Sequence, residues 1–201
     1  MPVRLVCASA NEGKVAEIRR LVAPDAELLP RPADVPDIAE TAPTLEGNAL
    51  IKANAIAVHT GEWAIADDTG LEVDALGGEP GVHSARFAGP EATDSENRTL
   101  LLERMATITD RNATFRTVIA VMSPTGEFHV LNGECHGYIA DTERGDNGFG
   151  YDPVFVPYEG DGRTFAEMSP AEKDALSHRA RALEQLPRLL ARIDGANPPS
   201  H

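Results

Sequence analysis

Long apolar runs are missing from this sequence: no stretch of about 18 uninterrupted apolar residues occurs, so no segment reads as a membrane-spanning helix. Cysteine is scarce, with only Cys7 and Cys135 in 201 residues. Both stand in apolar, strand-like runs and read as reduced core residues of a cytoplasmic protein, since a disulfide framework needs more of them. The start, Met1-Pro2-Val3-Arg4-Leu5, leads directly into a strand-like segment without the hydrophobic region of a signal peptide. Basic charge is also short, because 18 Lys and Arg against 32 Asp and Glu leave a formal net charge of −14. A protein that grips nucleic acid by its phosphates needs a basic footprint, so that class is disfavoured. A small polyanionic ligand is not, because a local cluster of Lys, Arg and divalent metal can overcome the global field. Repeats and low-complexity segments are absent.

What is present reads as βα alternation followed by antiparallel strands, hence an α/β protein with a mixed sheet and helices on its faces. Val3 to Ala8 is a buried strand candidate, and Gly13 to Val22 carries helical spacing through Val15, Ile18, Leu21 and Val22. After a connection rich in proline (Pro24, Pro30, Pro32, Pro36), a helix is expected from Leu45 to His59, capped by Thr44 and closed by Gly61. Trp63 to Ala66 and Leu71 to Leu76 are read as two strands, and Thr93 to Met105 as a helix. Phe115 to Met122 and Phe128 to Leu131 flank the turn residues Ser123-Pro124-Thr125-Gly126, with Glu134 to Ile139 extending the pair into a meander. Ser169-Pro170-Ala171-Glu172 is a capping box with proline at the first helical position. Residues 1–195 are taken as a single domain of two lobes, and 196–201 as a frayed tail.

Four constellations could carry chemistry. Ser9-Ala10-Asn11-Glu12-Gly13-Lys14 lies between a strand and a helix, where unsatisfied N–H groups and the dipole favour phosphate. The same residues suit a plain turn capped by Asn11, and the glycine pair and hydroxyl of a P-loop are missing. In Ala66-Asp67-Asp68-Thr69-Gly70-Leu71, adjacent carboxylates on an extended backbone point to opposite sides, so one can hold Mg²⁺ while the other handles water. An Asp-rich turn closed by Gly70 is the plainer alternative. Glu40, Glu46 and Asn48 offer further oxygen ligands. Gly145-Asp146-Asn147-Gly148-Phe149-Gly150-Tyr151-Asp152-Pro153 suits a loop that lays backbone and an aromatic face on a flat ligand, or a decorated turn. Lys173, His178 and Arg179 come together best if the helix breaks near Leu176 and Ser177 caps a new one. Two cations then sit in a first turn, against the dipole preference, unless an anion lies between them or they are simply solvated.

Ser-Ala-Asn-Glu-Gly-Lys (9 to 14), Ala-Asp-Asp-Thr-Gly-Leu (66 to 71), Pro-Gly-Val-His-Ser-Ala-Arg (80 to 86), Gly-Phe-Gly-Tyr-Asp-Pro (148 to 153) and Glu-Lys-x₃-Ser-His-Arg (172 to 179) occur in the order and spacing of one family. Together they resemble the inosine/xanthosine triphosphate pyrophosphatases, which cleanse the nucleotide pool, over nearly the whole chain from Val3 to Ile193. The resemblance implies a two-lobed inosine-triphosphatase-like α/β fold, with a long mixed sheet flanked by helices and a cleft between the lobes. It also implies a homodimer, Mg²⁺ dependence, and cleavage of inosine, deoxyinosine or xanthosine triphosphate to the monophosphate and pyrophosphate. Carried over by position, Ser9, Ala10, Asn11, Glu12, Gly13 and Lys14 contact the triphosphate, and Glu40 and Asp68 hold metal. Asp68 also accepts a proton and Thr69 touches substrate. Phe149, Gly150, Tyr151 and Asp152 line the base pocket, completed by Lys173, His178 and Arg179. Two departures stand out. The family often has two acidic residues before the helical Asn-Ala, whereas this chain has Glu46-Gly47-Asn48, and His83 replaces the usual tyrosine, which should alter packing or polarity there without changing the reaction. A pyrophosphatase for pyrimidine or modified nucleotides, and a nucleotide sensor without turnover, are the rival readings.

Overall fold

The computed structural model describes residues 3–23 and 25–196; Pro24 and residues 197–201, most of the expected frayed tail, lie outside them. The chain opens with β1 (Val3–Cys7), α1 (Glu12–Val22), β2 (Ala26–Leu29), α2 (Leu45–Thr60) and β3 (Ala64–Val73). There follow β4 (Pro80–Gly81), α3 (Asp94–Met105), β5 (Asn112–Met122), β6 (Phe128–Ile139) and β7 (Phe155–Pro157). Three helices close it: α4 (Pro170–Asp174), α5 (His178–Leu183) and α6 (Leu186–Ala196).

Local signals set most of these ends. The Thr44 side chain accepts from the Gly47 N–H to start α2, and Gly61, at φ 68°, closes it with its N–H on the Ala57 carbonyl. Thr93 and Glu96 form a capping box on α3, and Ser169 and Glu172 form another on α4. The Glu172 carboxyl is drawn down to about 2, first by Arg163 and then by the Ser169 backbone.

β1 runs parallel to both β2 and β3, as the early βα alternation requires. β4 pairs antiparallel with β3, and β7 with β6, so the sheet is mixed. Its strand order is β2-β1-β3-β5-β6-β7, with β4 on β3. Two expectations change here. The segments on either side of Asp67-Asp68-Thr69-Gly70 are one strand, not two strands joined by a turn. Gly70 is a strand residue against β4, where a Cβ would stand 2.5 Å from the Gly81 carbonyl oxygen. Likewise Phe128 to Ile139 is a single strand, and the meander's next member is β7.

The chain divides into two compact units, Met1–Asp68 with Val118–Gly133 and Ala180–His201, and Thr69–Thr117 with Glu134–Arg179. Each has its own core. In the first, Leu5, Ile18, Val22, Ile65, Ile119, Leu183 and Leu190 are buried together. In the second, Leu71, Leu101, Met105 and Ile139 pack with Phe115, Phe155 and Phe165. Phe115 meets Phe155 edge-on with ring centroids 4.7 Å apart. Both cysteines are free and buried, one in β1 and one in β6.

Candidate active site

Two adjacent carboxylates, Asp67 and Asp68, stand midway along β3, and their side chains must leave opposite faces of the strand. Each meets a lysine from a different helix. Lys14, in the first turn of α1, brings its Nζ to 3.2 Å from Asp67 Oδ2. Lys52, in the middle of α2, lies 2.9 Å from Asp68 Oδ1 and 2.7 Å from Glu40 Oε1. Glu40 and Asp68 are therefore joined through one ammonium. Asn48, fully buried one helical turn before Lys52, steadies the arrangement. Its Nδ2 donates to Asp68 Oδ2 at 3.4 Å, while its Oδ1 accepts from the Ala42 N–H at 2.9 Å.

The charges are buried. Asp67 is 1% and Asp68 5% exposed, which no ordinary Asp-rich surface turn would give. Desolvation by burial is the main cause that pushes the Asp68 carboxyl above its usual range, with Glu40 adding to it against the pull of Lys52 and Lys14. Burial by itself would lower the Lys52 ammonium, but Asp68, Asp67 and Glu40 together raise it. The physical picture is one cation shared among several carboxylates. The cation gains from every neighbour, and Asp68 receives only part of its compensation.

The loop from Ser9 to Lys14 connects β1 to α1. Asn11 is the N-cap, its Oδ1 accepting from the Lys14 N–H at 3.0 Å, and Ser9 Oγ accepts from the Asn11 N–H at 3.2 Å. The plain-turn reading thus holds for the Asn11 side chain, while the Lys14 side chain joins the acidic pair. Ala10, Asn11 and Glu12 are exposed. The missing acidic residue at Gly47 has a steric counterpart, because a Cβ there would fall 2.5 Å from Ala42 Cβ. His83 is exposed, so its substitution alters local polarity more than packing.

In the second unit, the helix breaks after Asp174 and α5 begins at His178, as the placement of cations required. These side chains are not solvated: Lys173 is 4%, His178 2% and Arg179 1% exposed. Lys173 Nζ donates to Asp152 Oδ2 at 2.5 Å and stands 4.9 Å from the Phe149 ring centroid. The Arg179 guanidinium carbon is 5.8 Å from the same ring, and Arg179 Nη2 donates to Thr69 Oγ1 at 3.2 Å. Thr69 Oγ1 also shares a 2.7 Å hydrogen bond with Thr117 Oγ1. His178 stacks on Phe115, with centroids 4.6 Å apart and an interplanar angle of 15°. Asp152 Oδ2 accepts the Phe149 N–H at 2.9 Å, which curls the loop around the carboxylate. Tyr151 belongs to the core by its side chain, with its hydroxyl donating to the Ser84 carbonyl at 2.9 Å.

The residues singled out in the sequence therefore gather into two sets. Lys14, Glu40, Asp67 and Asp68 form the first; Thr69, Phe149, Asp152, Lys173 and Arg179 form the second, with Gly150 and Tyr151 in its loop and His178 beside Arg179. Sequence reasoning missed Lys52 and Thr117. Lys52 had a signal, being four positions beyond Asn48 and so on one helix face with it. Thr117 had none, since it is a threonine in an apolar strand.

The model of the Ham1 family matches residues 5–189. The chain is 48% identical over 194 residues to a dITP/XTP pyrophosphatase of Symbiobacterium thermophilum, covering 93% of this chain and 96% of that protein. It is 46% identical over 191 residues to a dITP/XTP pyrophosphatase of Bacillus licheniformis, covering 92% and 97%. Against the relative of that name from Streptococcus thermophilus, the match at 46% identity spans 90% of this chain but only 58% of the longer protein. Among solved structures, a HAM1 protein from Coxiella burnetii superimposes with a TM-score of 0.84 at 43% identity, covering 94% of this chain and 99% of that one. The Staphylococcus aureus Ham1 protein gives 0.81 at 39% identity, covering 96% and 100%. Sequence, motif order and fold agree, and the chain belongs to the Ham1 family.

Proposed function

We propose that the protein hydrolyses non-canonical purine nucleoside triphosphates (inosine, deoxyinosine and xanthosine triphosphate) to the monophosphate and pyrophosphate. The observation that carries this reading is the buried Glu40–Lys52–Asp68 centre, with Lys14 on the neighbouring Asp67. It places a carboxylate able to take a proton beside cations able to bear phosphate charge. The names of the relatives, dITP/XTP pyrophosphatase, point to the same reaction.

Asp68 orients a water against the α-phosphorus and takes its proton at a carboxylate oxygen. The new bond is from water oxygen to the α-phosphorus. The bond that breaks joins that phosphorus to the oxygen bridging the β-phosphate, so pyrophosphate leaves. Lys14 and the start of α1 offset charge on the phosphate chain, and Lys52 holds Asp68 and Glu40 in place. This is catalysis by positioning and electrostatic stabilisation.

Glu40 and Asp68 also fit a hard divalent cation, since they already share a positive charge. Among the described residues no group of three or more His, Cys, Asp or Glu could hold a metal by itself. Mg²⁺ is commonly held by one or two carboxylates together with substrate phosphates, and Glu40 and Asp68 would supply the carboxylates. When bound, it would neutralise phosphate charge and polarise the scissile centre.

The second set reads the base. Phe149 offers a ring face, and Lys173 and Arg179 offer donors to a 6-oxo group, where adenine presents an amino donor instead. Two donors facing each other cost about 1–3 kcal/mol. A homodimer in a reducing, cytoplasmic setting completes the reading, the first from the family resemblance and the second supported by the free cysteines.

A pyrophosphate-release panel tests all of this. Inosine, deoxyinosine and xanthosine triphosphates should yield monophosphate and pyrophosphate together, faster than adenosine, guanosine or pyrimidine triphosphates. Diphosphate with orthophosphate as first products would overturn the reaction, and a preference for pyrimidines would overturn the substrate. No turnover at all would leave a sensor.

A further inference from the structure

The loop that carries Phe149 is gripped from outside by one turn of α3. Asp94 Oδ2 accepts the Gly150 N–H at 2.7 Å, and Arg98 Nη1 donates to the Gly150 carbonyl at 2.9 Å. Asp94 and Arg98 are four positions apart, hence on one helix face. Arg98 extends the grip, its Nε lying 3.0 Å from Glu143 Oε2. Gly150 is at φ 59° with open space where a Cβ would be, so its identity serves backbone conformation and not packing.

Both peptide units that flank Gly150 are thus fixed by side chains outside the loop. The N–H of Phe149 is fixed separately by Asp152. Consecutive amides at 149 and 150 are held by two carboxylates, one from within the loop and one from α3. Between them the Phe149 backbone has little freedom, and its ring stays by Lys173 and Arg179. Without the α3 grip, the hydrogen bonds between Phe149 and Asp152 would hold that stretch from within the loop.

We propose that Asp94 and Arg98 are positioning residues for base recognition, acting through Gly150 to set the Phe149 face. This rests on the reading of the second set as the base site. It assigns α3 a part in specificity although neither side chain belongs to that set.

Steady-state kinetics with deoxyinosine triphosphate, beside product inhibition by inorganic pyrophosphate, test it on the full chain with Mg²⁺. Pyrophosphate has no base, so its inhibition reports the phosphate side alone. Asp94→Ala should raise KM roughly three- to tenfold, the scale of one hydrogen bond, with kcat and pyrophosphate inhibition nearly kept. Asp94→Asn keeps an acceptor for the Gly150 N–H but loses the charge, and should restore KM most of the way. Arg98→Ala should raise KM likewise, with Arg98→Lys giving partial recovery. Equal effects of Asp94→Ala and Asp94→Asn would overturn the proposal, because the charge at the start of α3 would then be what matters. Unchanged KM in Asp94→Ala, or pyrophosphate inhibition that weakens in step with KM, would overturn it too. If Arg98→Ala folds poorly, the exposed Asp94 pair decides. The wild-type preference among bases tests the site reading separately, so either can fail without the other.

Discussion

Lys52 must satisfy carboxylates on two chain segments, and its replacement separates stability from catalysis. Removing it leaves Glu40 and Asp68 close together with their shared cation gone. Breaking a fully buried ion pair costs about 3–5 kcal/mol. Glu40 is 30% exposed at its side chain and water screens it, so about 1–3 kcal/mol is the better expectation for Lys52→Met. Asp68→Asn behaves differently. It removes a charge that burial already disfavours and leaves Lys52 its contact with Glu40, so the melting temperature should fall less than in Lys52→Met. Turnover should nevertheless fall by roughly 10²–10⁴-fold, the usual contribution of a general base. Thermal melts and pyrophosphate release on the two variants check this pair of outcomes. Near wild-type turnover in Asp68→Asn would move the base to Asp67.

At the scale of elements, the start of α2 sits against the segment that carries Glu40. Glycine in a helix ordinarily costs about 0.5–1 kcal/mol relative to alanine. Gly47→Ala would gain that if space allowed. It does not, because the new Cβ would stand 2.5 Å from Ala42 Cβ and 3.2 Å from Thr44 Oγ1. Ala42 is itself tied to Asn48 through its N–H, so neither partner moves cheaply. Overpacking of this kind costs about 1–3 kcal/mol and outweighs the helix gain. Gly47→Ala should lower the melting temperature by roughly 2–6 °C and reduce turnover by displacing Glu40. A higher melting temperature would show that the 40–42 segment yields freely.

For the whole molecule, the balance of charge sets the demand for metal. A chain of net charge −14 has to receive a polyanion, and Lys14 and Lys52 are largely committed to its own carboxylates. Turnover should therefore vanish in excess chelator and return with excess Mg²⁺. The fold should be indifferent to that cycle, since Lys52 already bridges Glu40 and Asp68 and each unit has an apolar core of its own. Circular dichroism beside the activity assay separates the two effects. Unfolding on chelation would mean a structural metal, and full activity in chelator would end the metal-dependent mechanism.

Sequence by itself determined what acts over a few residues. Caps at Thr44 and Ser169, the αL glycine at 61 and the break before His178 are local balances of backbone hydrogen bonding, readable from adjacent residue types. The resemblance added the order of the motifs. Local chemistry misled where tertiary pairing outweighed it. Asp67-Asp68-Thr69-Gly70 has the composition of a turn, yet it runs on within one strand, paired with β1 before it at Ala64 and Ile65 and with β4 after it at Leu71 and Glu72. Only the tertiary structure decided which charges meet. Lys52 reaches Glu40 and Asp68 across 12 and 16 positions, Arg179 reaches Thr69 across 110, and Asp94 reaches Gly150 across 56. No periodicity encodes such distances, because they follow from how helices and strands bury their apolar faces, and a side chain's partners are fixed only when that packing is complete.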